Sequence, residues 1–204
     1  TISNIKYSLI ILNDNVIFSN SIGDITAVDI ETGLITWQLP TQSSSIINET
    51  YNFKISKLVS DGNSIFFSNN KNQFYSIDFN TGITNWVQEI NSNVKPAVIG
   101  NFIFTISLDG YFFIIEKNTG NILRISNIFT NLKKKKSENI YPVGFIFNSQ
   151  NLFVSTSNGK IIIVDIKTAN TKNILKVNNG IISRPIVHDQ KMYVIKDNSI
   201  IKFN

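Results

Sequence analysis

Four carboxylates recur in this sequence in near-identical surroundings. They are Asp29, Asp78, Glu116 and Asp165, spaced 49, 38 and 49 residues apart. Carboxylate oxygens are natural ligands for a calcium ion. The context of each acid points elsewhere. The copies read Asp29-Ile30-Glu31-Thr32-Gly33, Asp78-Phe79-Asn80-Thr81-Gly82, Glu116-Lys117-Asn118-Thr119-Gly120 and a worn Asp165-Ile166-Lys167-Thr168-Ala169. An Asp side chain accepts hydrogen bonds from backbone N–H groups two or three residues on, which stabilises a turn. The glycine supplies a positive φ that other residues reach only at a cost. The recurring acids therefore read as turn formers. Trp37 and Trp86 each stand four residues past the glycine, suited to wedge between neighbouring units with the indole N–H free for a carbonyl.

The remaining chemistry-bearing residues are sparse. His188 is the single histidine, and one histidine builds neither a His-based metal site nor a Ser-His-Asp relay. It reads as a solvated residue of the turn His188-Asp189-Gln190. There is no cysteine, so there is no disulfide framework and no thiolate site. Lys133-Lys134-Lys135-Lys136 could meet lipid headgroups, a nucleic acid or an acidic protein. The run is short for an anchor and has no interleaved aromatic, so it reads as a solvated, mobile loop. The Thr-Gly pairs lie in hairpins and precede no helix, so they are not phosphate loops. No catalytic, cofactor-binding or metal-ligating residue is assigned. Neither a nucleic acid nor a small-molecule substrate is expected as a partner.

The elements that position these residues are strands. Apolar runs precede each acid: Ile25 to Val28, Phe74 to Ile77, Tyr111 to Ile115 and Ile161 to Val164. They are rich in β-branched and aromatic residues and bracketed by Gly, Asn or Asp. A second hairpin precedes each, built on Val16 to Ser19, Ile65 to Ser68, Phe102 to Thr105, Leu152 to Ser155 and, last, Met192 to Ile195. One more short apolar piece leads each unit: Leu9 to Leu12, Leu58-Val59, Ala97 to Ile99, Val143 to Phe147 and Ile186-Val187. Each repeat thus holds four strands in meander order, which is one propeller blade. Adjacent Phe66-Phe67 and Phe112-Phe113 point to opposite sheet faces, and both faces of a blade pack on neighbours, so both members of each pair read as core.

The chain has 204 residues, 42% hydrophobic, with net charge +5, which favours acidic partners only weakly. No apolar run approaches the roughly 20 residues that span a bilayer. The reading is one all-β domain over 1–204, with blades at about 7–39, 53–90, 96–129, 141–177 and 184–204, the last incomplete. The polar connection from Pro40 to Asn52 is longer than usual. Four blades and three strands leave the count one short of five blades. A strand near Ile2 to Lys6 would close a five-blade ring. The alternative, favoured by the absence of a start signal at Thr1, is an arc of a longer propeller.

The pattern carried by Gly23, Ala27, Asp29, Thr32, Gly33 and Trp37 resembles the repeat of the PQQ-like β-propeller superfamily. The second copy keeps Asp78, Thr81, Gly82 and Trp86, with Ser76 for Ala. The third keeps Gly110, Thr119 and Gly120 but has Glu116 and Arg124. The fourth keeps Gly159, Asp165 and Thr168. Within the superfamily the repeat style is most similar to the outer-membrane assembly lipoproteins of the BamB type. That resemblance implies a non-catalytic scaffold that binds other proteins and is periplasmic or tethered to the bacterial outer membrane by a lipid anchor. None of that family's partner-binding residues can be placed on this chain. A ligand-sensing or substrate-binding propeller is the alternative. A PQQ-dependent dehydrogenase is a weaker one, since such enzymes usually show a vicinal cysteine pair that is absent here, and no cofactor is expected.

Overall fold

The computed structural model describes residues 8–20, 23–41, 54–130, 132 and 140–203. Among them are 19 strands, which form five antiparallel sheets. The first is β1 (Leu9–Leu12), β2 (Asn15–Ser19), β3 (Ile25–Asp29) and β4 (Ile35–Leu39). The second is β5 (Val59–Ser60), β6 (Ser64–Ser68), β7 (Phe74–Asp78) and β8 (Thr84–Gln88). The third is β9 (Ala97–Ile99), β10 (Phe102–Ile106), β11 (Tyr111–Glu116) and β12 (Ile122–Asn127). The fourth is β13 (Pro142–Phe147), β14 (Asn151–Thr156), β15 (Lys160–Asp165) and β16 (Thr171–Lys176). The fifth has three strands, β17 (Ile186–His188), β18 (Lys191–Lys196) and β19 (Ser199–Phe203). Every sheet keeps chain order, so each is a meander. Short hairpin connections dictate that order, because antiparallel neighbours need only a tight turn. This is the β-propeller architecture expected from the repeats. The candidate strand from Ile2 to Lys6, the loop residues 42–52 and the lysine run Lys133 to Lys136 lie outside the described residues.

The chain divides into two compact units. One comprises Thr1–Thr105 with Ile114–Leu123, the other Ile106–Phe113 with Arg124–Asn204. In the first unit, Ile17, Ile25, Ile65, Phe67, Tyr75 and Phe79 belong to one buried cluster, with Trp37 packed against it. Phe66 and Phe67 are both fully buried yet serve different faces. Phe67 stacks on Tyr75, ring centroids 4.9 Å apart, inside that cluster. Phe66 and Phe74 lie against Trp86, at 6.3 and 5.9 Å. Alternation along a strand produces this split, and a sheet packed on both faces makes both sides core. In the second unit, Ile161, Ile182 and Val194 form a smaller cluster, with Phe153, Met192 and Ile201 packed on it. Phe112 and Phe113 are buried as well.

One feature of the outer strands is not legible in the spacing. The ladder shifts register between Ala27 and Val28, between Ser76 and Ile77, and between Ile163 and Val164. Trp37 pairs with Ala27 and Ile35 with Val28, so Thr36 is an extra residue, a β-bulge. Asn85 and Lys172 hold the same place in their sheets. Each reaches across to the inner strand: Thr36 Oγ1 donates to Asn15 Oδ1, Asn85 Nδ2 to Ser64 Oγ, and Lys172 Nζ to Asn151 Oδ1, at 3.0, 3.2 and 3.0 Å.

Candidate functional site

Each recurring acid is engaged within its own turn. Asp29 Oδ1 accepts from the Thr32 N–H at 2.8 Å and from its hydroxyl at 2.7 Å. Asp78 Oδ1 accepts the same pair from Thr81 at 2.9 and 2.8 Å, and a third bond from the Asn80 N–H at 3.0 Å. Glu116, one methylene longer, accepts the Thr119 hydroxyl. Asp165 takes Thr168 N–H and hydroxyl at 2.8 and 3.2 Å. In every copy the acid's own carbonyl accepts the N–H four residues on: Gly33, Gly82, Gly120 and Ala169, at 2.8 to 3.0 Å. Those four residues have φ of 69, 69, 76 and 59°, the left-handed region that closes the turn. The Thr32 hydroxyl first, and then its N–H, hold the Asp29 carboxyl below the usual carboxylate value; Thr81 does the same to Asp78. At Asp165 the main cause is the Lys172 ammonium at 2.8 Å, followed by the Thr168 N–H.

The outer strands then link one repeat to the next. Trp37 Nε1 donates to the Phe79 carbonyl at 3.0 Å, and its ring lies on Gly82. Trp86 Nε1 donates to the Lys117 carbonyl at 3.0 Å, and its ring lies on Gly120. A Cβ on Gly82 would stand 2.5 Å from the Trp37 ring, and one on Gly120 2.6 Å from Trp86. Arg124 occupies the third tryptophan position and keeps the donor role. Its Nη1 donates to the carbonyls of Ile166 and Lys167 at 3.1 and 2.7 Å. The spacing shows only that Arg124 stands in place of tryptophan; in the structure its charged donor takes over the hydrogen bond. Lys117 also bridges to Asp61 of the β5–β6 turn at 2.7 Å. Burial pushes Asp61 up, but the Lys117 ammonium and the Ser64 and Asn63 N–H groups outweigh it, leaving it below the usual value.

His188 ends β17 and faces solvent, with Nε2 3.4 Å from Asp189 Oδ2. The turn proper is Asp189-Gln190, both at positive φ, the geometry of a tight two-residue hairpin. Among the described residues no group of three or more His, Cys, Asp or Glu side chains is placed to hold a metal ion. No helix among them is long and apolar enough to cross a membrane.

What the surface does present is apolar side chains on edge strands. β4, β8, β12 and β16 each terminate their sheet order, so one backbone edge of each is unpaired within its sheet. On β12 the outward residues Leu123 and Ile125 are 54% and 53% exposed. Val87 on β8 and the turn-tip residues Leu34 and Ile83 are exposed too. An unpaired edge with an apolar outward face is a template for another strand.

Sheets of four strands in meander order, joined by a Thr-Gly turn and an outer-strand wedge, define a β-propeller repeat protein. The chain belongs to the PQQ_2 family described as "Outer membrane protein assembly factor BamB", whose family model matches residues 4–126. No curated protein matches it. Among solved structures it is similar to BamB from Moraxella catarrhalis, with TM-score 0.61, 14% identity, and 95% of this chain and 70% of that one covered. It is also similar to the computationally designed Ika8 protein, with TM-score 0.69, 15% identity, and 96% and 57% covered. A third is the Cps50 (Swd1) β-propeller domain of Myceliophteria thermophila, with TM-score 0.65, 12% identity, and 93% and 62% covered. The chain therefore spans less than two thirds of the latter two. At these identities the likeness is one of fold.

Proposed function

We propose that this chain is a non-catalytic β-propeller scaffold that binds other proteins during assembly of β-barrel proteins into a bacterial outer membrane. In this reading it works on the periplasmic side, tethered to the membrane by a lipid anchor. The observation that carries the proposal is the family match over residues 4–126. Two structural facts support it. The recurring acids are taken up by their own turns, and the outer strands offer apolar edges to which a partner's strand can add. The test is capture from a periplasmic and outer-membrane extract with the immobilised chain. Recovery of a component of the β-barrel insertion machinery is expected. Recovery of no protein partner would overturn the proposal.

A further inference from the structure

Charge is divided unevenly along the chain. Residues 8–130 carry ten acids against six lysines and arginines, whereas residues 140–203 carry seven lysines and one arginine against three aspartates. The basic surplus therefore falls on the fourth and fifth sheets, both in the second compact unit. Two of those aspartates, Asp165 beside Lys172 and Asp189 beside His188, lie in the β15–β16 and β17–β18 turns, at one end of their sheets.

The opposite end gathers uncompensated cations. Lys160 opens β15 and Lys176 closes β16, and the two are direct cross-strand partners. Like charges placed so repel each other. Lys196 ends β18 and bridges to Ile182 in the link from β16 to β17. That link also carries Arg184, whose Cβ lies against Gly144 of β13. Among the described residues no carboxylate pairs with Lys160, Lys176, Arg184 or Lys196. Asp197 is the one acid in the turns at this end of the two sheets. The turn does not demand a lysine: Lys160 follows Gly159, and in the first sheet Asp24 follows Gly23.

Two large side chains stand out among these cations. The N–H groups of Val177 and Asn178 donate to the Gly159 carbonyl, which holds the link beside Lys160. Ile182 then packs inward with Ile161 and Val194, while its neighbour Ile181 is 58% exposed. Tyr141 is 37% exposed, its N–H donating to Ser157 Oγ of the β14–β15 turn at 3.1 Å. An apolar tip and a tyrosine ringed by lysine and arginine match the layers of a bilayer surface. The tip and ring enter the headgroup boundary while the cations meet lipid phosphates.

We propose that this end of the fourth and fifth sheets is a docking surface for an anionic phospholipid bilayer. Ile181 and Tyr141 are its apolar contacts, and Lys160, Lys176, Arg184 and Lys196 its phosphate-facing charges. The inference stands on this cluster and does not depend on a role in outer-membrane assembly.

The test is co-sedimentation of the whole chain with vesicles. Pelleting is expected with equal parts phosphatidylcholine and phosphatidylglycerol, falling as salt rises, and not with phosphatidylcholine alone. Each of Lys160→Gln, Lys176→Gln, Arg184→Gln and Lys196→Gln should weaken binding about fivefold. Ile181→Ser should weaken it while leaving the salt dependence as in the parent. Lys176→Gln should not lower the melting temperature, since it removes a like-charge pair. No pelleting by the parent chain, or full pelleting by folded variants of these residues, would overturn the proposal. So would loss confined to a variant with Lys133–Lys136 replaced by glutamine. Binding that Ile181→Ser leaves intact and soluble polyglutamate abolishes would mark an acidic-protein site and overturn it too.

Discussion

At the scale of single residues, the turn glycines differ in what a methyl group would meet. Gly82→Ala would put a Cβ 2.5 Å from the Trp37 ring as well as straining φ. A loss of about 2–3 kcal/mol is expected from combined overpacking and left-handed strain, measured by urea unfolding. Gly33→Ala meets no described neighbour, so only the strain remains, at about 1 kcal/mol. Equal losses at the two sites would contradict the seating of Trp37. Trp86→Ala removes the ring packed on Phe74 and Gly120 and the bond to the Lys117 carbonyl, and should cost about 3 kcal/mol in the same assay. The acids set the pH response. Asp29, Asp61, Asp78 and Asp165 all lie below their ordinary value of 3.8 in the folded chain. A depressed folded pKa gives stability that is fully present above the unfolded pKa and is lost as pH falls through the folded one. The melting temperature should therefore hold from neutral pH to about pH 5 and decline below about pH 4. Asp61→Asn, which removes the partner of Lys117, should make that decline shallower; an unchanged acid limb would show that Asp61 contributes nothing to it.

At the scale of elements, the outer strand does two tasks with opposite faces. One face carries the wedge residue and is fixed by the bulge, so that Trp37 and Ile35 pair with adjacent residues of β3. On β8 and β12 the other face carries exposed apolar residues, Val87, Leu123 and Ile125. Replacing both Leu123 and Ile125 with Lys on β12 should change stability by less than about 0.5 kcal/mol, because these side chains are more than half exposed. The same double variant should lose partner capture if β12 is the docking edge. Retained capture would move the interface to another edge or to the turn tips. The position of the strands was legible in the sequence. Leu9 to Leu12 and Ala97 to Ile99 were expected as strands and are found with those bounds, because alternation and turn residues mark them locally. The bulge was not legible, since Thr36 and Asn85 sit inside a Gly-x-x-x-Trp spacing that is the same in both copies, and only the strand pairing shows that one of the intervening residues is extra.

At the scale of the whole chain, the five meander sheets and the family match define a β-propeller repeat protein. A redox role would require the chain to bind a quinone cofactor with calcium. Thermal melts with PQQ and calcium are expected to match melts without them. A rise of several degrees would revive the dehydrogenase reading, since a ligand bound by the folded state raises apparent stability by mass action.

The sequence alone determined the blades. The acid, threonine and glycine lie within five consecutive residues, so their turn forms from local hydrogen bonds that any reader of the spacing can anticipate. Tertiary structure alone decided what lies on each turn. Trp37 and Phe79 are 42 residues apart, as are Arg124 and Ile166, and no local rule pairs them. Only packing shows that arginine can stand in for tryptophan where alanine replaces glycine, and that no described residue lies on Gly33.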